Sequence, residues 1–224
     1  MAERESWVTM KDMRQRVRNN LILLSIFSGA LYLVISILVH QDIFRSFDYS
    51  MMVWFQRFFS RVVDIPFSLI TLAGSTEIIS IILFGIFAWV FFFRKKIFLS
   101  ICLYFMIFLI EIFGKIFIYH PPPPGNFHRY ALNFSMPSGS LIDTSFSYPS
   151  GHMARIAFLS IVLLFLVLQS SINNRRKMLL SLSIGSVVLI VFISRIYLGE
   201  HWFSDVLGGA FLGGGLATLS FVFW

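Results

Sequence analysis

The stretch LILLSIFSGALYLVISILV, residues 21–39, contains no charged residue. A helix that crosses the hydrocarbon core of a bilayer needs about 20 mostly apolar residues, because that core is about 30 Å thick. The segment therefore reads as a first membrane span. A cleavable signal peptide has a shorter apolar run followed by a small-residue cleavage site. Neither is seen, so the span is expected to be retained. The wider composition agrees: 57% of the 224 residues are hydrophobic, 17% aromatic and only 13% charged, with 27 phenylalanines and a mean hydropathy of +0.80. A soluble domain carries about 25% charged residues. Both a soluble globule and a disordered chain are excluded. The single cysteine, Cys102, lies inside an apolar run, so no disulfide or cysteine-metal framework is available.

Working outward, five further apolar runs follow at residues 75–93, 97–119, 153–169, 178–197 and 205–224. The expected fold is an all-α, polytopic membrane bundle of six spans. Residues 1–20 form a basic tail and residues 21–224 the membrane domain. The start of the second span is open, since residues 65–73 are apolar as well. Basic residues fall in three clusters: Arg4, Lys11, Arg14, Arg16 and Arg18 before the first span, Arg94, Lys95 and Lys96 after the second, and Arg175, Arg176 and Lys177 after the fourth. In a six-span chain all three lie on one side. The positive-inside rule makes that side, with both termini, cytoplasmic. The opposite side holds the loop at residues 120–151. It also holds an amphipathic segment at residues 48–64, which reads either as a helix lying in the outer interface or as one packed on the bundle.

Ionisable residues are costly at membrane depth unless paired or hydrated, and here they gather at the outer ends of the last four spans. Glu111 and Lys115 stand four apart, as do His201 and Asp205, so each pair shares a helix face. His152 and Arg155 open the fourth span after Tyr148-Pro149-Ser150-Gly151, and Ser194 and Arg195 close the fifth. Lys115 and Arg195 supply fixed positive charge, and arginine's planar fork suits phosphate oxygens. Ser150 and Gly151 precede a helix whose free N–H groups favour an anion. Two histidines can divide nucleophilic and acid-base work, with Asp205 orienting the His201 ring. Cationic clamps, helix-terminal amides and a His-Asp pair point to phosphoryl transfer. The surrounding cations would repel a metal ion. Arg155, one helical turn beyond His152, reads either as a phosphate contact or, the favoured reading, as a structural residue that snorkels, and Gly208, Gly209 and Gly213–Gly215 read as a surface for close helix packing.

Pro149-Ser150-Gly151-His152 and the set Ser194-Arg195, His201 and Asp205 resemble, in order and spacing, the second and third signature motifs of the type 2 phosphatidic acid phosphatase family. The resemblance implies a membrane lipid phosphatase that works without metal or other cofactor. It implies His201 as the nucleophile that becomes a phosphohistidine, Asp205 as its orienting partner and His152 as proton donor and then base. Arg195, Ser150 and the Gly151 amide would hold the phosphate, with Lys115 matching the lysine that opens the first motif. That motif calls for an arginine seven residues after the lysine, where this chain has Pro122. His120, His128 or Arg129, all in the loop that follows, is the expected replacement, with Arg129 favoured for its permanent charge. Pro137-Ser138-Gly139-Ser140 mimics the second motif without its histidine and reads as loop. The expected partners are the bilayer of the cell membrane and a lipid phosphate or pyrophosphate met at its outer face: phosphatidic acid, phosphatidylglycerol phosphate or undecaprenyl pyrophosphate. No nucleic acid is expected, and the oligomeric state is not legible. Two alternatives stay open: a lipid phosphotransferase of the same fold, and an inactive lipid-binding or transport protein.

Overall fold

The structure is a computed structural model that describes residues 2–72, 74–93, 98–129 and 145–223. The basic cluster at residues 94–96, the Pro137–Ser140 motif and Trp224 lie outside the described residues. The chain is an all-α membrane bundle, with no strand among the described residues. In chain order the helices are α1 (Ala2–His40), α2 (Arg45–Phe58), α3 (Asp64–Leu72), α4 (Thr76–Phe93), α5 (Phe98–Phe117), α6 (Gly151–Gln169), α7 (Asn174–Tyr197) and α8 (Phe203–Ser220). Pro121–Pro124 follows the end of α5, since proline cannot continue a helix. Asn173 caps α7, its side chain accepting from the Arg176 N–H at 2.9 Å.

Among the described residues four segments are long and apolar enough to cross a membrane: Gln15–His40, Leu99–Phe117, Gly151–Gln169 and Asn174–Tyr197. Arg61–Thr71 and Thr76–Phe92 make a fifth if taken as one span, bent by 44° at their junction. The run at residues 75–93 is thus the second half of a broken element whose first half begins upstream. α8, expected as the sixth span, is a glycine-rich helix of 18 residues. The side chains that face outward on α1, α4, α5 and α7 are those that lipid accepts: Leu23, Phe27, Leu33, Trp89, Phe92, Phe113 and Leu182 are all exposed.

α8 sits at the centre, packed against α1, α2, α5, α6 and α7. Its glycines make this possible. A Cβ on Gly209 would strike the Ser150 carbonyl, and one on Gly213 the Ala154 carbonyl, so α6 and α8 meet backbone to backbone. α2 ends at Phe58, short of the amphipathic segment as read from the sequence, and packs on α7 and α8. It buries Asp48, Met52 and Phe55. Gln56 turns inward as well, its Nε2 donating to the carbonyls of Phe127 at 2.7 Å and Tyr197 at 2.9 Å. The exposed side of this helix is aromatic, with Phe47, Tyr49, Trp54 and Phe58.

Candidate active site

Three helix ends and one helix break bring the candidate residues together. Ser150, the N-cap of α6, donates its N–H to the Asp205 carbonyl at 3.0 Å, which straps the start of α6 to the first turn of α8. After α7 the chain folds back on itself: the N–H groups of Glu200 and His201 both donate to the Arg195 carbonyl, each at 3.3 Å. That turn carries His201 over the end of α7 and into α8. Arg195 is 3% exposed; its guanidinium donates to Thr71 Oγ1 at 2.6 Å and pairs with the Glu200 carboxylate. His152 packs on the same junction between α3 and α4, where a Cβ on Gly74 would lie 3.3 Å from the imidazole. Thr71 and Gly74 are therefore part of the site, and sequence reading passed over both. A small residue at a break between apolar runs was the available signal.

Asp205 is fully buried and its carboxylate is fully used. Oδ2 accepts from the Trp202 N–H at 3.0 Å and faces His201 Nδ1 at 3.3 Å. Oδ1 meets Nδ1 of His120 at 2.7 Å. With its proton on Nδ1, the His201 ring keeps its Nε2 lone pair free. Burial, aided by the charge of Arg195 and opposed by the bond to Asp205, lowers the His201 pKa to about 4, so the ring is neutral near pH 7.

The second cluster has the opposite sign. The Glu111 carboxylate lies between two cations, Lys115 Nζ at 2.8 Å and an Arg155 nitrogen at 2.6 Å. It rests against Gly151, where any Cβ would collide with it. Arg155 is thus buried on Glu111 and does not reach toward a membrane surface. Among the described residues Ser150 Oγ and the Nε atoms of Arg155 and Arg195 are buried with no hydrogen-bond partner. Unpaired buried donors are costly, and a bound oxyanion is the group that would satisfy them.

Two of the candidates for the missing first-motif cation each have another partner. His120 is on Asp205. Arg129 donates to the Tyr197 hydroxyl at 3.2 Å, with its guanidinium carbon 5.1 Å from the centre of that ring. Asp48, a residue that sequence reading left out, stands behind His120, its Oδ2 3.5 Å from Nε2.

The sequence profile of the PAP2 superfamily matches residues 96–224, more than half of the chain, and the chain belongs to that superfamily. Phosphatidylglycerophosphatase B of Bacillus subtilis (strain 168) is 39% identical over 72 residues, a stretch that covers 32% of this chain and 36% of that protein. The matched stretch thus spans about a third of that relative's length. The crystal structure of a transmembrane PAP2 type phosphatidylglycerolphosphate phosphatase from Bacillus subtilis superposes with a TM-score of 0.67 at 25% identity, covering 88% of this chain and 93% of that one. The structure of Aquifex aeolicus LpxE shares the fold, with a TM-score of 0.53 at 20% identity over 77% of this chain and 93% of its own. The protein is a multi-pass membrane protein with the fold of PAP2 membrane phosphatases.

Proposed function

We propose that the protein is a membrane phosphatase that hydrolyses a lipid phosphate or lipid pyrophosphate through a phosphohistidine, at the outer face of the cell membrane. One observation carries the reading. A histidine held on a buried aspartate shares its site with buried arginine and serine donors that lack a partner. In the first step His201 Nε2 attacks phosphorus while the bond from phosphorus to the leaving oxygen breaks, and His152 gives that oxygen a proton. Asp205 stabilises the positive His201 ring. In the second step His152 takes a proton from water, the water oxygen attacks phosphorus, and the P–N bond breaks to release phosphate. Arg195, Ser150, the Gly151 amide and Lys115 are assigned to hold the phosphate oxygens.

The named relatives support a phospholipid phosphate as the substrate class. The basic clusters support the outer face. The test is phosphate release in detergent micelles from phosphatidic acid, phosphatidylglycerol phosphate and undecaprenyl pyrophosphate, with EDTA, on wild type and His201→Ala. The expected result is metal-independent release from at least one lipid, reduced by more than about 10³-fold in the variant. Equal release by both proteins would overturn the assignment of His201. No release from any lipid would overturn the hydrolase reading and make transfer to an acceptor lipid the next assay.

A further inference from the structure

His120 belongs to none of the motifs, yet it is among the most constrained side chains near the site. It is 4% exposed. Its carbonyl accepts from the Ser147 N–H at 2.9 Å and the Ser147 hydroxyl at 3.1 Å, which fixes its backbone. Its two ring nitrogens point at two buried carboxylates, Nδ1 at Asp205 Oδ1 (2.7 Å) and Nε2 at Asp48 Oδ2 (3.5 Å). A histidine can donate to two carboxylates only as the imidazolium, because the neutral ring has one N–H. Asp48 is itself anchored, since it accepts from the Ser204 N–H at 2.8 Å and the Ser204 hydroxyl at 2.6 Å. Those groups lie in the first turn of α8, beside Asp205. The result is a continuous chain from α2 through His120 to the nucleophile: Asp48, His120, Asp205, His201.

We propose that His120, held by Asp48, is a positioning residue for the phosphatase reaction: it pins the Asp205 carboxylate, through it fixes the His201 tautomer, and so sets the alkaline limit of activity. The Trp202 N–H and His201 share one Asp205 oxygen, and holding the other oxygen as well fixes the plane of the carboxylate against His201 Nδ1–H. His120 holds that oxygen with a charge-assisted bond, about twice as strong as a neutral one. As His201 gains positive charge during attack, the same bond keeps Asp205 a carboxylate, so the Nδ1 proton stays on His201. The proposal rests on the reading of His201 as nucleophile.

The charged groups that face His120 are Asp48 from α2 and Asp205 from α8. A cavity of about 360 Å³ opens beside it, lined also by Asp42, Arg45, Tyr49 and Tyr119, and gives its proton a route to water. Burial opposes the charged form of His120, but the hydrogen bonds and charges of Asp205 and Asp48 outweigh it and raise the pKa to about 9. Above that value the ring loses its charge and one N–H, so the bond that holds Asp205 is no longer charge-assisted and weakens.

The test follows histidine ring protonation by nitrogen NMR on the full chain in detergent, alongside kcat/KM for short-chain phosphatidic acid from about pH 6 to about pH 10.5. Wild type, Asp48→Asn and His120→Asn are compared, each checked for a cooperative melt. In wild type the His120 midpoint and the alkaline limb of kcat/KM should coincide. Asp48→Asn removes one of the two carboxylates and should move both down together by at least about one pH unit. His120→Asn keeps a donor for Asp205 that cannot titrate, so the limb should vanish while kcat falls about 10- to 100-fold. A purely structural role would lower activity and leave the shape of the profile unchanged, and that result overturns the proposal. So does a neutral His120 ring at pH 7, or a midpoint that moves in Asp48→Asn while the limb stays. A wild type that releases no phosphate fails on the functional reading itself, and the NMR arm still decides whether the imidazolium exists.

Discussion

The two charge clusters at the ends of these helices are electrical opposites. Around Glu111, one carboxylate sits between two cations, Lys115 and Arg155. Around His120, one imidazole sits between two carboxylates, Asp48 and Asp205. Each arrangement answers the same demand, since a buried charge is tolerable only when paired and hydrogen-bonded. They differ in what they leave over. The Glu111 cluster carries surplus positive charge and unpaired donors beside the start of α6, which is what a phosphate needs. The His120 cluster carries surplus negative charge behind His201, which is what a histidine about to become cationic needs. In the proposed function, one cluster suits the phosphate and the other suits His201.

The largest effect should come from breaking the second cluster at its centre. Asp205→Asn removes the charge that fixes the His201 tautomer and should lower kcat about 10³- to 10⁴-fold, with little change in KM, as read by steady-state phosphate release. Breaking the first cluster should act on folding and on binding separately. Glu111→Gln leaves Arg155 and Lys115 without their counter-ion and should cost about 3 kcal/mol or more of stability, seen as a lowered melting temperature in detergent. Lys115→Ala removes only the outer cation and should raise KM about 10-fold, with a smaller change in kcat.

A pH series tests both histidines on Asp205 at once. His120 has its pKa raised from an ordinary 6.5 to about 9. Its contribution to stability is complete below pH 6.5 and is lost as pH rises through 9. His201 has its pKa lowered from 6.5 to about 4, so its contribution is complete above pH 6.5 and is lost as pH falls toward 4. Together they place the highest melting temperature near pH 6.5, with a decline on either side. Asp48→Asn should flatten the alkaline slope and leave the acid slope in place. The smallest effect is expected from Arg129→Ala. Its guanidinium is engaged with Tyr197, so kcat/KM should change by less than about 3-fold. A severe loss would return Arg129 to the phosphate.

Sequence reading reached the parts of this molecule that are local. The apolar runs, the start of α6 at Pro149-Ser150-Gly151 and the pairs Glu111–Lys115 and His201–Asp205 all follow from spacing along one helix. The glycines of α8 marked a close-packing face, and Gly209 and Gly213 lie on it. What it missed joins distant segments. Arg155 meets a partner 44 residues away, Arg195 meets Thr71 across 124 residues, and Asp48 meets Ser204 across 156. No periodicity encodes such pairs. Asp48 was read as the edge of an amphipathic segment because a single acid on a surface helix has no local feature that marks it as buried. The polar side of that segment was equally ambiguous, and Gln56 resolves it by bonding inward to Phe127 and Tyr197.

The unequal ownership of charge between α5 and α6 bears on how the chain enters its membrane. α5 carries both Glu111 and Lys115 and closes their ion pair within its own turn. α6 carries Arg155, whose carboxylate partner is on α5. Arg155 lies about one turn from the start of α6, where a lone arginine costs less than it does at the centre of a span, about 2.5–3.5 kcal/mol. The partner that offsets this cost is synthesised earlier and waits in the neighbouring helix. The order of the two helices along the chain thus puts the carboxylate ahead of the arginine that needs it.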